Sequence, residues 1–366
     1  SGEKGESDNP LQGKLYVEAD NLNISDYLID RVAPDVQIDN AVLGFQIWAE
    51  FSSTELLQAQ VVLNDSQLAW SQSDKLHNWQ LNSGLLQLTN SKEGWLLDSY
   101  DLDVEHDQKK LQDLTISGYG TGEEGAFAFN SFYLRDLLPF YLLNSNLTKT
   151  QLSLLQALDI DADLKRVTFS KNRADKLQFG VQLAAFKNHP KGAVPGLSNA
   201  QIEVQGDASQ GEISIRLPKQ KIYFDGQFSR AMPVESGDLA LHWSVTAEGF
   251  KLFSEQSLLK TTDLDTVTEF SLLFPNKEAE NQSPFLSLYS YASLNDAGKA
   301  QYYYPVKAMK EKVFGYLQPT LKKGKVEGAK ILWYGTLNHY PYKRHDGICQ
   351  AKIGVIDHGK CFFIAT

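Results

Sequence analysis

The chain is poor in cysteine: only Cys349 and Cys361 occur, both within its last eighteen residues. A body stapled by disulfides, or built on a multi-cysteine zinc centre, is therefore excluded. The two thiols are twelve positions apart and can pair or stay free, and their scarcity is compatible with an oxidising compartment. No apolar run approaches the roughly 20 residues that a membrane-spanning helix needs, and no signal peptide opens the sequence. Positive charge is also short, with 35 Lys and Arg against 45 Asp and Glu and a net charge of −10. That balance argues against nucleic acid as a partner, because phosphate binding needs clustered cations.

What is present argues for a folded chain. Hydrophobic residues make up 42% and charged residues 22% of the 366 positions, so there is ample apolar surface for a core in one large domain or two ordinary ones. Most of that surface is arranged with period two, the mark of strands with one dry face. Leu11, Gly13, Leu15, Val17 and Ala19 alternate with polar residues; Phe45, Ile47, Ala49 and Phe51 do the same, as do Leu57, Ala59, Val61 and Leu63. The pattern recurs at Trp79 and Leu81, at Leu86 and Leu88, at Leu96, Tyr100, Leu102 and Val104, and at Phe127 and Phe129. Farther on it returns at Leu177, Phe179, Val181 and Leu183, and most cleanly at Leu239, Leu241, Trp243, Val245 and Ala247.

Two interruptions stand out. Ser25 is placed to cap a short helix through Tyr27, Leu28 and Ile29. Residues 133–158 carry apolar positions at helical spacing, broken at Pro139 and at Asn144-Ser145-Asn146, and are the expected seam or cap. The fold class that follows is all-β, predominantly antiparallel, with a few short helices. Alternation says that each strand has one dry face without saying what covers it. A second sheet would make a closed β-sandwich; a single curled sheet would leave an apolar groove.

Candidate chemistry is thin. Asp159, Asp161 and Asp163 imitate the start of a calcium loop, yet Leu164 and Ser170 stand where glycine and glutamate are required. Asp101, Asp103, Glu105 and Asp107 share one strand face, which reads as a solvated edge. Gly118-Tyr119-Gly120-Thr121-Gly122 has the look of a phosphate loop, but Glu123 and Glu124 follow and no helix does, so a hairpin turn is expected. The histidines show no paired metal-ligand spacing, and His339 and His345 fall beside Tyr340, Tyr342 and Asp346 as a polar cluster at a strand end. No serine or cysteine sits in a nucleophile motif. No catalytic residue, metal or cofactor is assigned, and the chain is read as a non-enzyme.

Residues 284–342 form a strand, helix, strand unit. Leu286, Leu288, Ala292 and Leu294 alternate; Pro305 opens a helical spacing of Val306, Met309, Val313, Phe314 and Leu317; Ala329, Ile331, Trp333, Gly335 and Leu337 alternate again. The unit is basic, with Lys307, Lys310, Lys322, Lys323, Lys325 and Lys330 against Glu311 and Glu327. Those lysines are a solvated face or a face for an anionic partner.

The order Gln301-Tyr302-Tyr303-Tyr304-Pro305, Met309, Tyr316-Leu317, Gly324-Lys325-Val326, Leu332-Trp333-Tyr334-Gly335-Thr336-Leu337 and Tyr340-Pro341-Tyr342 resembles the YhdP branch of the bacterial AsmA-like superfamily. Residues 158–169 and the turn Pro195-Gly196-Leu197-Ser198 resemble it too, so the likeness spans residues 11–348. Cys349 departs from the aromatic usual after Gly-Ile, and from Lys352 onward the likeness fades. The resemblance implies a long curled sheet with a lipid-carrying interior, in an inter-membrane lipid transport protein whose cargo is phospholipid. It also implies a periplasmic fragment of a longer chain anchored in the inner membrane. Residues 1–10 are then linker, 11–345 the groove segment and 346–366 a tail of unassigned character.

On that expectation the groove is lined by Leu15, Val17, Phe45, Ile47, Val61, Leu63, Leu241, Trp243, Val245, Leu286, Leu288 and Ile331. Its partners are phospholipid acyl chains, the membranes at the ends of the full-length protein and envelope proteins. The alternative is a structural β-domain of the cell envelope that binds a protein partner without conducting lipid.

Overall fold

A computed structural model of the chain describes residues 12–53, 55–72, 74–143, 148–174, 176–192, 194–276, 283–303, 323–340, 342–357 and 360–365; from residue 353 on it describes the backbone alone. The helix expected from Pro305, with Lys307, Lys310 and Lys322, lies outside the described residues. The architecture is antiparallel β with a few short helices, as the alternation predicts. It divides into two compact units, one holding residues 1–152 and 164–177, the other residues 153–163 and 178–366.

In the first unit the strands β1 (Gln12–Asn23), β2 (Val36–Ser52), β3 (Glu55–Gln72), β4 (Lys75–Ser91) and β5 (Gly94–His106) pair in chain order, each antiparallel to the next. One half of β5 then pairs with the two-residue β6 (Lys109–Lys110) and the other half with β7 (Thr115–Gly120), which pairs with β8 (Gly125–Tyr133). The expected hairpin closes β7 onto β8, with Thr121 N–H donating to the Glu124 carbonyl at 2.8 Å.

Trp79 with Leu81, and Leu86 with Leu88, read from sequence as separate stretches, belong to the single strand β4. The reason is a line of irregularities crossing the sheet. Register slips near Val42 to Gly44 in β2, between Leu81 and Ser83 in β4, and beside positive-φ residues at Asn21, Asp65 and Asp101. A bulge inserts one residue and flips the alternation beyond it. Leu97 before the bulge in β5 and Leu102 after it therefore reach the same side: Leu102 Cδ2 lies 2.6 Å from where a Cβ on Gly84 would stand. Leu96 and Tyr100, grouped by sequence with Leu102 and Val104, are instead exposed on the other side.

The core of this unit gathers at one end of the strands. Trp70, Trp79, Val104 and Leu111 are buried there, and α2 (Leu134–Leu142) covers them with Leu137 and Phe140. Pro139 was expected to break this helix but sits inside it, buried. The lost backbone bond is offset by the packing of its neighbours onto the two tryptophans. Ser25 is not a cap either: it is the first residue of α1 (Ser25–Ile29), and its Oγ accepts the Ala41 N–H at 3.0 Å instead.

β9 (Asp161–Lys171) comes next in the chain, and in the second unit β10 (Leu177–Lys187), β11 (Ala200–Asp207), β12 (Gln210–Leu217), β14 (Met232–Thr246), β15 (Gly249–Thr261), β16 (Leu264–Pro275), β17 (Phe285–Leu294), β18 (Lys325–Thr336), β19 (Gly347–Asp357) and β20 (Lys360–Ala365) pair in sequence, all antiparallel. The short β13 (Gln220–Ile222) pairs with the start of β14. The tail left unassigned from sequence thus supplies β19 and β20. Cores again collect at one end: Ala200, Ile202, Leu217, Ile222, Met232 and Val234 in one cluster, and Ala292, Leu294, Ala297, Val326 and Ala329 in the next. Tyr303, at the end of a 3-10 helix spanning Ala297–Tyr303, packs against both.

Candidate functional site: an apolar sheet face

Residues paired across neighbouring strands project from the same side of a sheet, so the registers convert the alternation into continuous rows. In the first unit one row runs Leu15, Ala49, Ala59, Leu88, Leu97, Gly118, Phe127 across β1, β2, β3, β4, β5, β7 and β8. Beside it run Val17, Ile47, Val61 and Leu86. Ala19, Phe45, Leu63 and Gly84 make a third row.

In the second unit a longer row crosses Phe179, Gly206, Gly211, Trp243, Leu252, Leu272, Leu286, Gly335 and Gly347. Val181, Val204, Ile213 and Leu241 lie alongside, as do Phe270, Leu288 and Trp333. All twelve residues expected to line a groove fall on these faces. They divide between the units, with Leu15 to Leu63 in the first and Leu241 to Ile331 in the second.

None of the twelve is buried. Phe45, Ile47, Val61, Leu63, Leu241, Trp243, Leu286 and Leu288 are half-buried, while Leu15 is 50% exposed, Val17 39%, Val245 51% and Ile331 39%. β1 goes further than the expectation of one dry face, since no residue in it is buried. In each unit the same apolar face is therefore covered at one end, by α2 in the first and by the 3-10 helix in the second, and left partly open at the other among the described residues.

Glycines beneath aromatic rings shape the open ends, and this the sequence did not announce. Trp243 lies over Gly206 and Gly211: a Cβ on Gly206 would stand 2.6 Å from its Cζ2, and one on Gly211 would overlap the ring. Phe179 stacks beside it with centroids 6.1 Å apart. In the first unit Trp95 covers Gly118, Gly120 and Gly125 and contacts Phe127 at 5.3 Å between centroids. A cavity of about 280 Å³ opens there between Trp95, Phe127, Phe169 and Leu177. Only strand register could have revealed these pairs, because ring and glycines lie on different strands.

Hydroxyl groups cross the second face at mid-strand. Ser254 and Ser257 share a hydrogen bond of 2.8 Å, and Thr268 and Ser290 share another of 2.8 Å. Each pair satisfies itself, so these side chains lie on an apolar floor without an unpaired polar group. At the covered end, the buried Asp263 carboxylate takes Lys299 and Arg230 (3.2 Å), and the Arg230 guanidinium stacks 3.5 Å above the Tyr302 ring.

The other sequence candidates resolve into ordinary pairs. Asp161 meets Lys187 at 3.1 Å and Asp159 meets His189 at 3.6 Å. Asp103 meets Lys110 at 3.0 Å, and Asp107, expected on the same strand face, sits in the turn beyond β5. His339 pairs with Asp346 at 2.7 Å, as the polar cluster predicts. Of the basic face, Lys323 is exposed, Lys325 meets Glu327 at 2.7 Å, and Lys330 lies beside Tyr291 on the side opposite Ile331.

The family profile described as YhdP protein matches residues 4–363. The chain is also similar to the "Intermembrane phospholipid transporter YhdP" of Escherichia coli (strain K12), with 17% identity over 349 residues, covering 92% of this chain and 27% of that protein. The chain thus spans about a quarter of the length of that relative. No solved structure matches it.

Proposed function

This chain belongs to the YhdP family, and on that premise we propose that its apolar sheet faces shield phospholipid acyl chains as they pass between the inner and outer membranes. It does so as a periplasmic segment of a longer protein, with the head group kept at the rim and in water. The observation that carries this reading is the partial exposure of the rows through Leu15, Val17, Trp243, Val245 and Ile331. In a filled sandwich those positions are buried by a second sheet. An acyl chain supplies the missing cover.

The physical need is large. Each buried CH₂ exposed to water costs about 0.8 kcal/mol, so a sixteen-carbon chain carried bare costs on the order of 13 kcal/mol. An apolar row running strand after strand removes most of that barrier, and it needs no catalytic group. Lys323 and Lys330 are exposed, with Lys330 on the side opposite the apolar face, and suit an anionic envelope partner there.

The test is native mass spectrometry of the purified chain with identification of extracted lipid. Retained phospholipid that is lost in Trp243→Glu and Leu288→Glu, with the fold intact by circular dichroism, supports the reading. If the same variants unfold and the wild type carries no lipid, the faces are packing surfaces and the chain is a structural module.

A further inference from the structure

We propose that His77, His106 and Asp107 form a binding site for a divalent transition metal ion, zinc by the chemistry of the donors. Sequence spacing hid this site, because the two histidines are brought together by strand register. Trp79 of β4 faces His106 of β5, which places His77, two residues from Trp79, diagonally across from His106 on the same side. The imidazoles lie parallel, with centroids 6.1 Å apart and planes at 12°.

Both rings are buried, each 6% exposed, within the Trp70 and Trp79 cluster. His77 Nδ1 and His106 Nε2 have no hydrogen-bond partner. Two buried imidazole nitrogens without a hydrogen bond are an anomaly for packing alone, and imidazole is a preferred ligand of zinc.

The surroundings are those of a metal ligand set. Asp136 of α2 holds His106 Nδ1 at 2.8 Å. A carboxylate on that nitrogen fixes the N–H there and leaves the Nε2 lone pair free for a metal. Asp107 Oδ2 lies 3.4 Å from that nitrogen, and its Oδ1 accepts the Asn78 N–H at 2.9 Å. The carboxylate is aimed by a turn in which Asp107 and Gln108 both take positive φ, the two-residue hairpin between β5 and β6.

The donor atoms lie within 4.8 Å of one another. A tetrahedral ion with bonds of about 2.0–2.1 Å brings its ligands to about 3.3 Å, so loading draws the side chains inward, with Asp107 at the surface as the route from solvent. Water takes the fourth position. The ion would tie β4, the β5 turn and, through Asp136, helix α2 at the covered end of the sheet.

The experiment equilibrates the full chain with buffered zinc chloride, counts bound metal by elemental analysis, and measures affinity by competition with a chromophoric chelator. Cobalt substitution reports tetrahedral geometry by its visible spectrum. One equivalent is expected, with affinity reduced at least tenfold in His106→Gln and Asp107→Asn, and tenfold to a hundredfold in the positioning variant Asp136→Asn. Asp107→Asn keeps the acceptor for Asn78 N–H and is partly exposed, so it decides the matter if His106→Gln does not fold. Absence of bound zinc in the wild type, or unchanged affinity in Asp107→Asn, overturns the proposal.

Discussion

The indole of Trp243 on β14 rests on the backbone of Gly211 on β12, its direct partner across the ladder, in the space a side chain would otherwise fill. One ring thereby covers both Gly206 and Gly211. The first prediction follows from this contact. Gly211→Ala pushes the ring off the sheet and destabilises the second unit by about 1–3 kcal/mol, read as a lower midpoint in chemical denaturation. Adding Trp243→Ala recovers part of that loss, because the two changes share one contact and do not add. Strict additivity would show that the ring does not rest there.

Half-open and closed ends of the faces differ in what truncation costs. Trp70 is 0% exposed at the covered end, and Trp70→Ala should cost about 3–5 kcal/mol. Leu286, half-buried at the open end, should cost only about 1 kcal/mol when cut to alanine. Added phospholipid should widen the effect of Leu286→Ala and leave that of Trp70→Ala unchanged, since only a variant with weakened lipid binding gains less of the stabilisation that the ligand confers. Equal losses for both variants would mean that the Leu286 end is covered too.

Asp263 is the buried centre of an ion triad, with Lys299 and Arg230 both partly exposed. Asp263→Asn keeps the shape and removes the charge, at a cost on the order of 2 kcal/mol. Lys299→Gln and Arg230→Gln should each cost less, because the carboxylate keeps one cation. Thermal melts of the three variants give the ranking, and a Lys299→Gln protein less stable than Asp263→Asn would refute it.

Tyr303 gives a pH dependence with a definite sign. Burial raises its pKa above the ordinary value of 10.0, and its hydroxyl is bonded to Thr261 Oγ1 at 2.8 Å. A raised pKa means that the unfolded chain loses the proton first. The contribution is therefore complete below about pH 10 and is lost as pH rises through the folded value. Stability measured from pH 8 to about 11 should fall more steeply in the wild type than in Tyr303→Phe; identical slopes would exclude the tyrosine as the cause.

The alternation of Leu15 with Tyr16, or of Leu241 with His242, suffices for an antiparallel β chain, because period two is a property of the backbone itself. The same pattern placed all twelve expected lining residues on the apolar faces. Turn chemistry was equally legible: Gly118 to Gly122 precede a hairpin, and His339 finds Asp346 nearby in the chain.

Register and bulges were not legible, since both depend on which strand lies next door. The bulge at Asp101, where φ is positive, decides that Leu97 and Leu102 share one face while Leu96 and Tyr100 take the other. It is register, too, that sets Trp243 over Gly211 and His77 near His106, and packing on Trp70 and Trp79 that holds Pro139 inside a helix. Sequence by itself determined that this chain has apolar sheet faces, because alternation is local. Tertiary structure alone decided which ends of those faces are covered, because coverage is a contact between segments far apart in the chain.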